Sequence, residues 1–344
     1  MKQYIFCILL FCIASAFVTI NKLPFVIPEQ FPIPAYDFSN NQLTNKKVEL
    51  GRALFYDPLL SQNNKVSCAS CHSPFNAFAH TDHALSHGIN DSIGTRNAPA
   101  LFNLAWQKTF MWDGAINHLD MQALAPISHP SEMGESLDNV VKKLQSSMEY
   151  SQWFYDAFGD SAVTGQRVLL ALSQFELSLV SANSKYDSVM RRQTSFDLQE
   201  ANGYRLYKIN CAACHIEPLF STYEFANNGL PVDTTLHDYG RWLVTHQSAD
   251  SLQFKIPSLR NLEYSYPYMH DGRFKRLTDV LNHYTSGIQK SKTLARSLQK
   301  PIVLSSNEKT DLIAFLLTLS DKSFVFNPAH APLRKNNRLS ITIN

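Results

Sequence analysis

The sequence predicts a mainly α chain folded as two small domains. Three observations carry this reading. Apolar residues recur at helical spacing through much of the chain, while strand signals are few. A cysteine pair closed by a histidine occurs twice, as "SCASCH" at 67–72 and "NCAACH" at 210–215. The text before each is similar: "GRALFY" starts at Gly51 and "GYRLYK" at Gly203, which reads as a weak internal duplication. At 344 residues there is enough chain for two cores. Lys and Arg number 31 against 29 Asp and Glu. That balance gives no support for a nucleic-acid partner.

Along the chain, a lysine and an apolar run end in the small-x-small triplet Ala14-Ser15-Ala16, which reads as a secretory signal peptide over 1–16. No later stretch is long and apolar enough to span a membrane, so the mature chain is expected to be exported without a membrane span. Leu50 and Leu54 share a helix face with Ala53 before the first motif. "SLDNVVKKLQSSM" and "TGQRVLLALSQFELSLVSA" read as amphipathic helices, the second with a stripe of Val168, Leu172, Phe175 and Leu179. "NSKYDSVMRRQTS" has the composition of a linker. The last helix opens on a capping box, Ser305 with Glu308, and buries Leu312, Phe315, Leu316 and Leu319. Domain boundaries are expected at 35–185 and 195–325, with 326–344 a tail.

Loss of the signal removes Cys7 and Cys12. The remaining Cys68, Cys71, Cys211 and Cys214 all lie in the two motifs, leaving none for a structural disulfide. C-x-x-C-H is the attachment pattern for c-type haem: two thiols bond the porphyrin vinyl groups and the histidine ligates iron. A thioredoxin-like pair needs no histidine, and a four-cysteine zinc site leaves both histidines unexplained. With 12 histidines in the chain, chance would place one after each pair about once in eight hundred. The reading is two covalent haems c, with His72 and His215 as proximal ligands.

From about Leu50 to Leu319 the chain resembles the bacterial di-haem cytochrome c peroxidases, and within them the MauG-like branch. The resemblance rests on an ordered set: "SCASCH", "GTRNAPALFN", "FMWDG", "LDMQALAPISHPSEMG", "FELSLVS", "CAACH" and "IPSLRNLEYSYPYMHDGRF". It implies two cytochrome c-like haem domains with the active site near their interface, the first haem binding peroxide and the second transferring electrons.

The resemblance also implies roles. Glu132 matches the distal acid, which moves a proton between the peroxide oxygens. Gln122 matches the distal amide, and Trp112 the tryptophan between the haems. Met111 stands where many relatives have an aromatic residue. Seven residues before Arg96, where ordinary relatives carry a histidine that blocks the first iron, stands Ile89. The first site should therefore be open, with His80, His83 and His87 nearby as rivals. Tyr284 stands in the methionine slot of the second iron, as in MauG-like proteins, with Met269 and His283 as rivals. Asn97, with the carbonyls of Ser265 and Pro267, matches a calcium site.

The expectation is a periplasmic enzyme that reduces hydrogen peroxide to water. Its electrons would come from a donor protein such as a mono-haem cytochrome c or a copper protein. Alternatives are MauG-type oxidation of a partner protein and a di-haem electron carrier without peroxide chemistry. Relatives leave a homodimer open.

Overall fold

Two helix pairs organise the chain. Helix α1 (Asn45–Tyr56) packs on α2 (Gly165–Ser178), and α3 (Leu198–Asn210) packs on α4 (Ser306–Leu317). The computed structural model describes residues 25–333, so the signal-peptide segment and the end of the tail lie outside the described residues. Each helix begins on a side-chain cap that satisfies an otherwise orphaned N–H. Thr44 caps α1, Thr164 caps α2, Asp197 with Glu200 boxes α3, and the expected Ser305–Glu308 box opens α4.

The duplication read from the two lead-ins has a physical cause. A Cβ added to Gly51 would lie 1.9 Å from the Ala171 carbonyl oxygen and 3.0 Å from Phe175 Cβ. A Cβ added to Gly203 would lie 1.9 Å from the Asp311 oxygen and 2.8 Å from Phe315 Cβ. Both lead-in glycines therefore sit at the closest approach of two helices, in the same register against a carbonyl and a phenylalanine one turn later. Gly51→Ala and Gly203→Ala should each destabilise the fold by about 3 kcal/mol, the upper range for overpacking, because backbone must move. Thermal unfolding of each variant checks this, and a Tm equal to wild type would refute it.

Aromatic rings fill each pair alike. Phe55, Phe78 and Phe175 meet in the first cluster; Tyr207, Phe220 and Phe315 meet in the second. Between the helix pairs run long loops, with one two-stranded antiparallel ribbon, Phe225–Ala226 against Phe254–Lys255. The mainly helical architecture is the expected one.

One reading is corrected. The supposed linker contains a helix, Lys185–Met190, opened by a Ser184–Asp187 capping box. Asp187 is buried and takes both terminal nitrogens of Arg260, itself fully buried, at 2.8 and 2.7 Å. Polar composition here marks an internal ion pair rather than a solvated connection. Beyond α4 the chain turns back: Phe324 and Val325 join the first cluster, and the Tyr56 hydroxyl donates to the His330 carbonyl at 2.6 Å.

Candidate active site

The two motifs build the same local geometry. His72 N–H donates to the Cys68 carbonyl at 2.9 Å, and His215 N–H to the Cys211 carbonyl at 3.0 Å, so each cysteine pair lies on one tight turn. His72 Nδ1 lies 2.8 Å from the Phe78 carbonyl; His215 Nδ1 lies 3.1 Å from both the Phe220 and Pro257 carbonyls. A carbonyl only accepts, so Nδ1 carries the proton and the Nε2 lone pair is left free on each ring. Burial lowers both imidazoles to about 4, which keeps them neutral at pH 7, as ligation requires. None of the four cysteines pairs with another in a disulfide.

Both motifs open onto one cavity of about 600 Å³, lined by Cys71, His72, Cys211, Cys214 and His215 among others. The buried hydroxyl of Tyr223, on its wall, has no hydrogen-bond partner among the described residues. Lys255 Nζ donates to the Gln107 side-chain oxygen at 3.2 Å and the Thr109 carbonyl at 2.5 Å, and meets no carboxylate among those residues. Lys255 is 8 % exposed, and burial lowers its ammonium to about 7. Paired thiols, a free imidazole nitrogen on each side, an orphaned hydroxyl and a buried cation fit two c-type haems with their carboxylate edges.

Glu132, Gln122 and Trp112 all line this cavity. Burial raises the Glu132 carboxyl above the ordinary range, against a smaller opposing pull from His129. Glu132 also raises the Cys71 thiol electrostatically, which places it on the first-motif side. The Gln122 amide reaches Met111 Sδ at 3.8 Å, so Met111 packs against the amide. Trp112 Nε1 donates to the Asn97 carbonyl at 2.9 Å, which holds the indole, and its backbone carbonyl accepts from Lys255 N at 2.7 Å, which holds the main chain.

The rival ligands separate clearly. His80, His83 and His87 form a stacked row that does not line the cavity. Ile89 is buried against Gly134, its N–H donating to the Glu132 carbonyl at 2.7 Å. Tyr284 does line the cavity and sits in a π-helical turn, His283–Gly287, that continues the helix Leu277–Asn282. Such bulges often mark functional positions. Met269 also faces the cavity. His283 does not; its Nε2 is 3.0 Å from the Asn228 carbonyl.

Residues 45–195 match the family described as Di-haem cytochrome c peroxidase. The methylamine utilization protein MauG of Methylorubrum extorquens is 37 % identical over 310 residues, covering 87 % of this chain and 84 % of that protein. The chain belongs to the di-haem cytochrome c peroxidase family. The cytochrome c551 peroxidase of Nitrosomonas europaea is 34 % identical over 278 residues, 79 % of each chain. Among solved structures, a MauG-like protein associated with microbial copper homeostasis aligns with a TM-score of 0.82 at 29 % identity, covering 90 % of this chain and 99 % of that one. Membership implies two c-type haems and an oxidoreductase of the peroxidase kind. No helix among the described residues is long and apolar enough to cross a membrane.

Three features of this di-haem family member escaped the sequence reading. Arg96 grips Asp238 through Nε and Nη2 at 2.7 and 2.8 Å and reaches Asp113 at 2.6 Å, tying the two halves together at the cavity wall. Burial raises the Tyr284 phenol against a smaller opposing hydrogen bond from Asn228, whose amide also reaches Met269 Sδ at 3.6 Å, so one amide contacts both candidate ligands. Glu176 lies buried in "FELSLVS" with one carboxylate oxygen unpartnered among the described residues; burial pushes its pKa up to about 8. None has a signal in spacing or periodicity, since each depends on what the fold brings near.

Glu176 carries a pH prediction. Its folded pKa exceeds its unfolded one, so between the two the folded chain holds a proton that the unfolded chain has released. Stability must then fall as pH rises through that window. Glu176→Gln should gain about 3 kcal/mol at pH 7 and little at pH 4. Denaturant unfolding at the two pH values checks this; equal gains at both would refute it.

Asn97, Ser265 and Pro267 also line the cavity. The Asn97 amide donates to the Ala84 carbonyl at 2.9 Å, which leaves its Oδ1 to accept. Among the described residues no group of three or more His, Cys, Asp and Glu side chains could hold a metal.

Proposed function

We propose that this protein is a periplasmic di-haem peroxidase, exported through residues 1–16, that reduces hydrogen peroxide to water with electrons from a small redox protein. The observation that carries the reading is the pairing of Glu132 and Gln122 on the wall of the cavity that His72 enters, with no histidine of the 80–87 row reaching it. Each turnover joins one peroxide, two electrons and two protons to give two waters.

Cys68, Cys71 and His72 would hold the first haem, and Cys211, Cys214, His215 and Tyr284 the second. Lys255 would meet a haem carboxylate. A haem supplies an iron that accepts peroxide oxygen and passes single electrons. Gln122 donates its amide to the bound peroxide and fixes its orientation. Glu132 takes the proton from the near oxygen and returns it to the far one, so water leaves rather than hydroxide. Trp112, its indole nitrogen tied to the Asn97 carbonyl, would give an aromatic path between the sites. Asn97 Oδ1 with the Ser265 and Pro267 carbonyls would hold calcium, a hard ion suited to neutral oxygens.

MauG-type oxidation of a partner protein is a second reading. Tyr284 favours it, as does the 37 % identity to a MauG against 34 % to a cytochrome c peroxidase. A peroxide-consumption assay separates the readings. The peroxidase reading expects steady consumption with a reduced mono-haem cytochrome c and little without it. Consumption indifferent to any donor would overturn it. Intact mass of the purified chain should show two haem additions.

A further inference from the structure

The wall of the second haem site carries a charge asymmetry that the chemistry above does not use. Residues 273–300 contain seven Lys and Arg against Asp279 alone, a net +6. The remaining 316 residues hold 24 basic against 28 acidic residues, a net −4. Within the segment, Arg273 is taken by Asp271 and Arg276 by Asp279. The other five cations, Lys275, Lys290, Lys292, Arg296 and Lys300, are all exposed and pair with no carboxylate among the described residues.

The same segment has a second face. Leu277, Val280, Tyr284 and Leu298 line the cavity. It is therefore a wall one layer thick, with apolar side chains and the phenol inward and cations outward. The loop is pinned where the lysines are densest. Gln289 N–H donates to the Gly229 carbonyl at 2.8 Å, and the Asn227 amide donates to Ser291 and Thr293 hydroxyls at 3.0 and 2.9 Å. Lys290 and Lys292 thus sit on a tethered loop of this wall rather than on a free tail. A merely solubilising charge could be spread anywhere; here it is concentrated on one wall of a chain otherwise net negative.

We propose that this basic wall is the docking surface for the electron donor, and that the donor is a small redox protein with an acidic face. The proposal rests on the peroxidase reading above and adds the partner's chemistry and place. Opposite charge draws the donor to the wall nearest the second haem, where encounter rates rise about ten- to a thousandfold at low salt. Each encounter oxidises the donor by one electron and reduces the second site by one; no bond or proton need move.

The test uses the haem-loaded, fully oxidised chain without peroxide. Two reductants are compared by stopped flow: a reduced, lysine-rich mono-haem cytochrome c, and the same cytochrome succinylated on its lysines. The succinylated form should reduce the second haem at least about tenfold faster at low salt, and the advantage should vanish as salt screens it. The double variant Lys290→Glu with Lys292→Glu should abolish that preference and leave the haem absorbance spectrum unchanged. Equal rates for the two cytochromes, a faster native form, or an unaltered double variant would overturn the proposal. So would loss of anionic-vesicle binding in the variant without any change in donor preference, since that makes the wall a membrane contact. A neutral hydroquinone with peroxide keeps the two readings apart. If it sustains peroxide consumption in wild type and variant alike, the peroxidase reading stands whatever the cytochromes show. If neither it nor either reduced cytochrome sustains any, that reading fails, while docking is still judged from the reduction rates.

Discussion

Glu132→Gln should slow peroxide turnover at saturating donor by about a hundredfold or more while leaving haem content and Tm nearly unchanged. The glutamine keeps the shape of the side chain on the cavity wall and loses the exchangeable proton. The Glu132 N–H donates to the His129 carbonyl at 3.0 Å and its carbonyl accepts from Ile89, contacts that the amide does not disturb. The pH profile gives the signature. Glu132 must begin each cycle as a carboxylate, and burial holds its pKa above the usual glutamate range. Wild-type turnover should therefore fall on acidification through that raised pKa, whereas the variant should lack this limb. Unaltered turnover, or an acid limb that survives the substitution, would remove Glu132 from the proton path.

The sequence was legible where chemistry demands fixed spacing and opaque where side chains meet from afar. C-x-x-C-H needs adjacent residues, so both motifs could be read from a few letters. The Ser305–Glu308 box and the Val168–Leu172–Phe175–Leu179 stripe were equally local, and both appear in the fold. The repeated glycine in the lead-ins was visible, but its reason was not. Only the packed helices show that Gly51 meets Ala171 and Gly203 meets Asp311, each more than a hundred residues away. The linker reading failed because composition does not distinguish a solvated charge from a paired one. Asp187 finds Arg260 across 73 residues. Arg96 between Asp113 and Asp238, and Asn228 between Met269 and Tyr284, were hidden for the same reason. Family resemblance brought Glu132, Gln122, Trp112 and Tyr284 to notice, and all four line the one cavity that both motifs share.

The as-isolated, fully oxidised protein should show one high-spin and one low-spin ferric haem by electron paramagnetic resonance, and should react with peroxide without prior reduction. On the first side, Ile89 stands in the slot of the blocking histidine and packs on Gly134, while the His80–His83–His87 row stays off the cavity. With only His72 as a side-chain ligand, that iron should be high-spin. On the second side, Tyr284 lines the cavity, whereas its neighbour His283 does not and is tied to the Asn228 carbonyl. Burial pushes the free phenol up to about 12, so only a metal cation beside it would make it a phenolate at pH 7. A phenolate is a hard anionic donor that stabilises ferric iron and lowers the reduction potential. Tyr284→Phe should consequently change the low-spin signal alone and raise the potential of that haem. Met269 shares the cavity and the Asn228 amide, so the phenylalanine variant is the one in which its sulfur can reach the iron. A variant with both signals unchanged would give the ligand role to Met269 in the wild type. Two low-spin signals, with peroxide reactivity appearing only after one-electron reduction, would mean that a histidine of the 80–87 row moves in to close the first site.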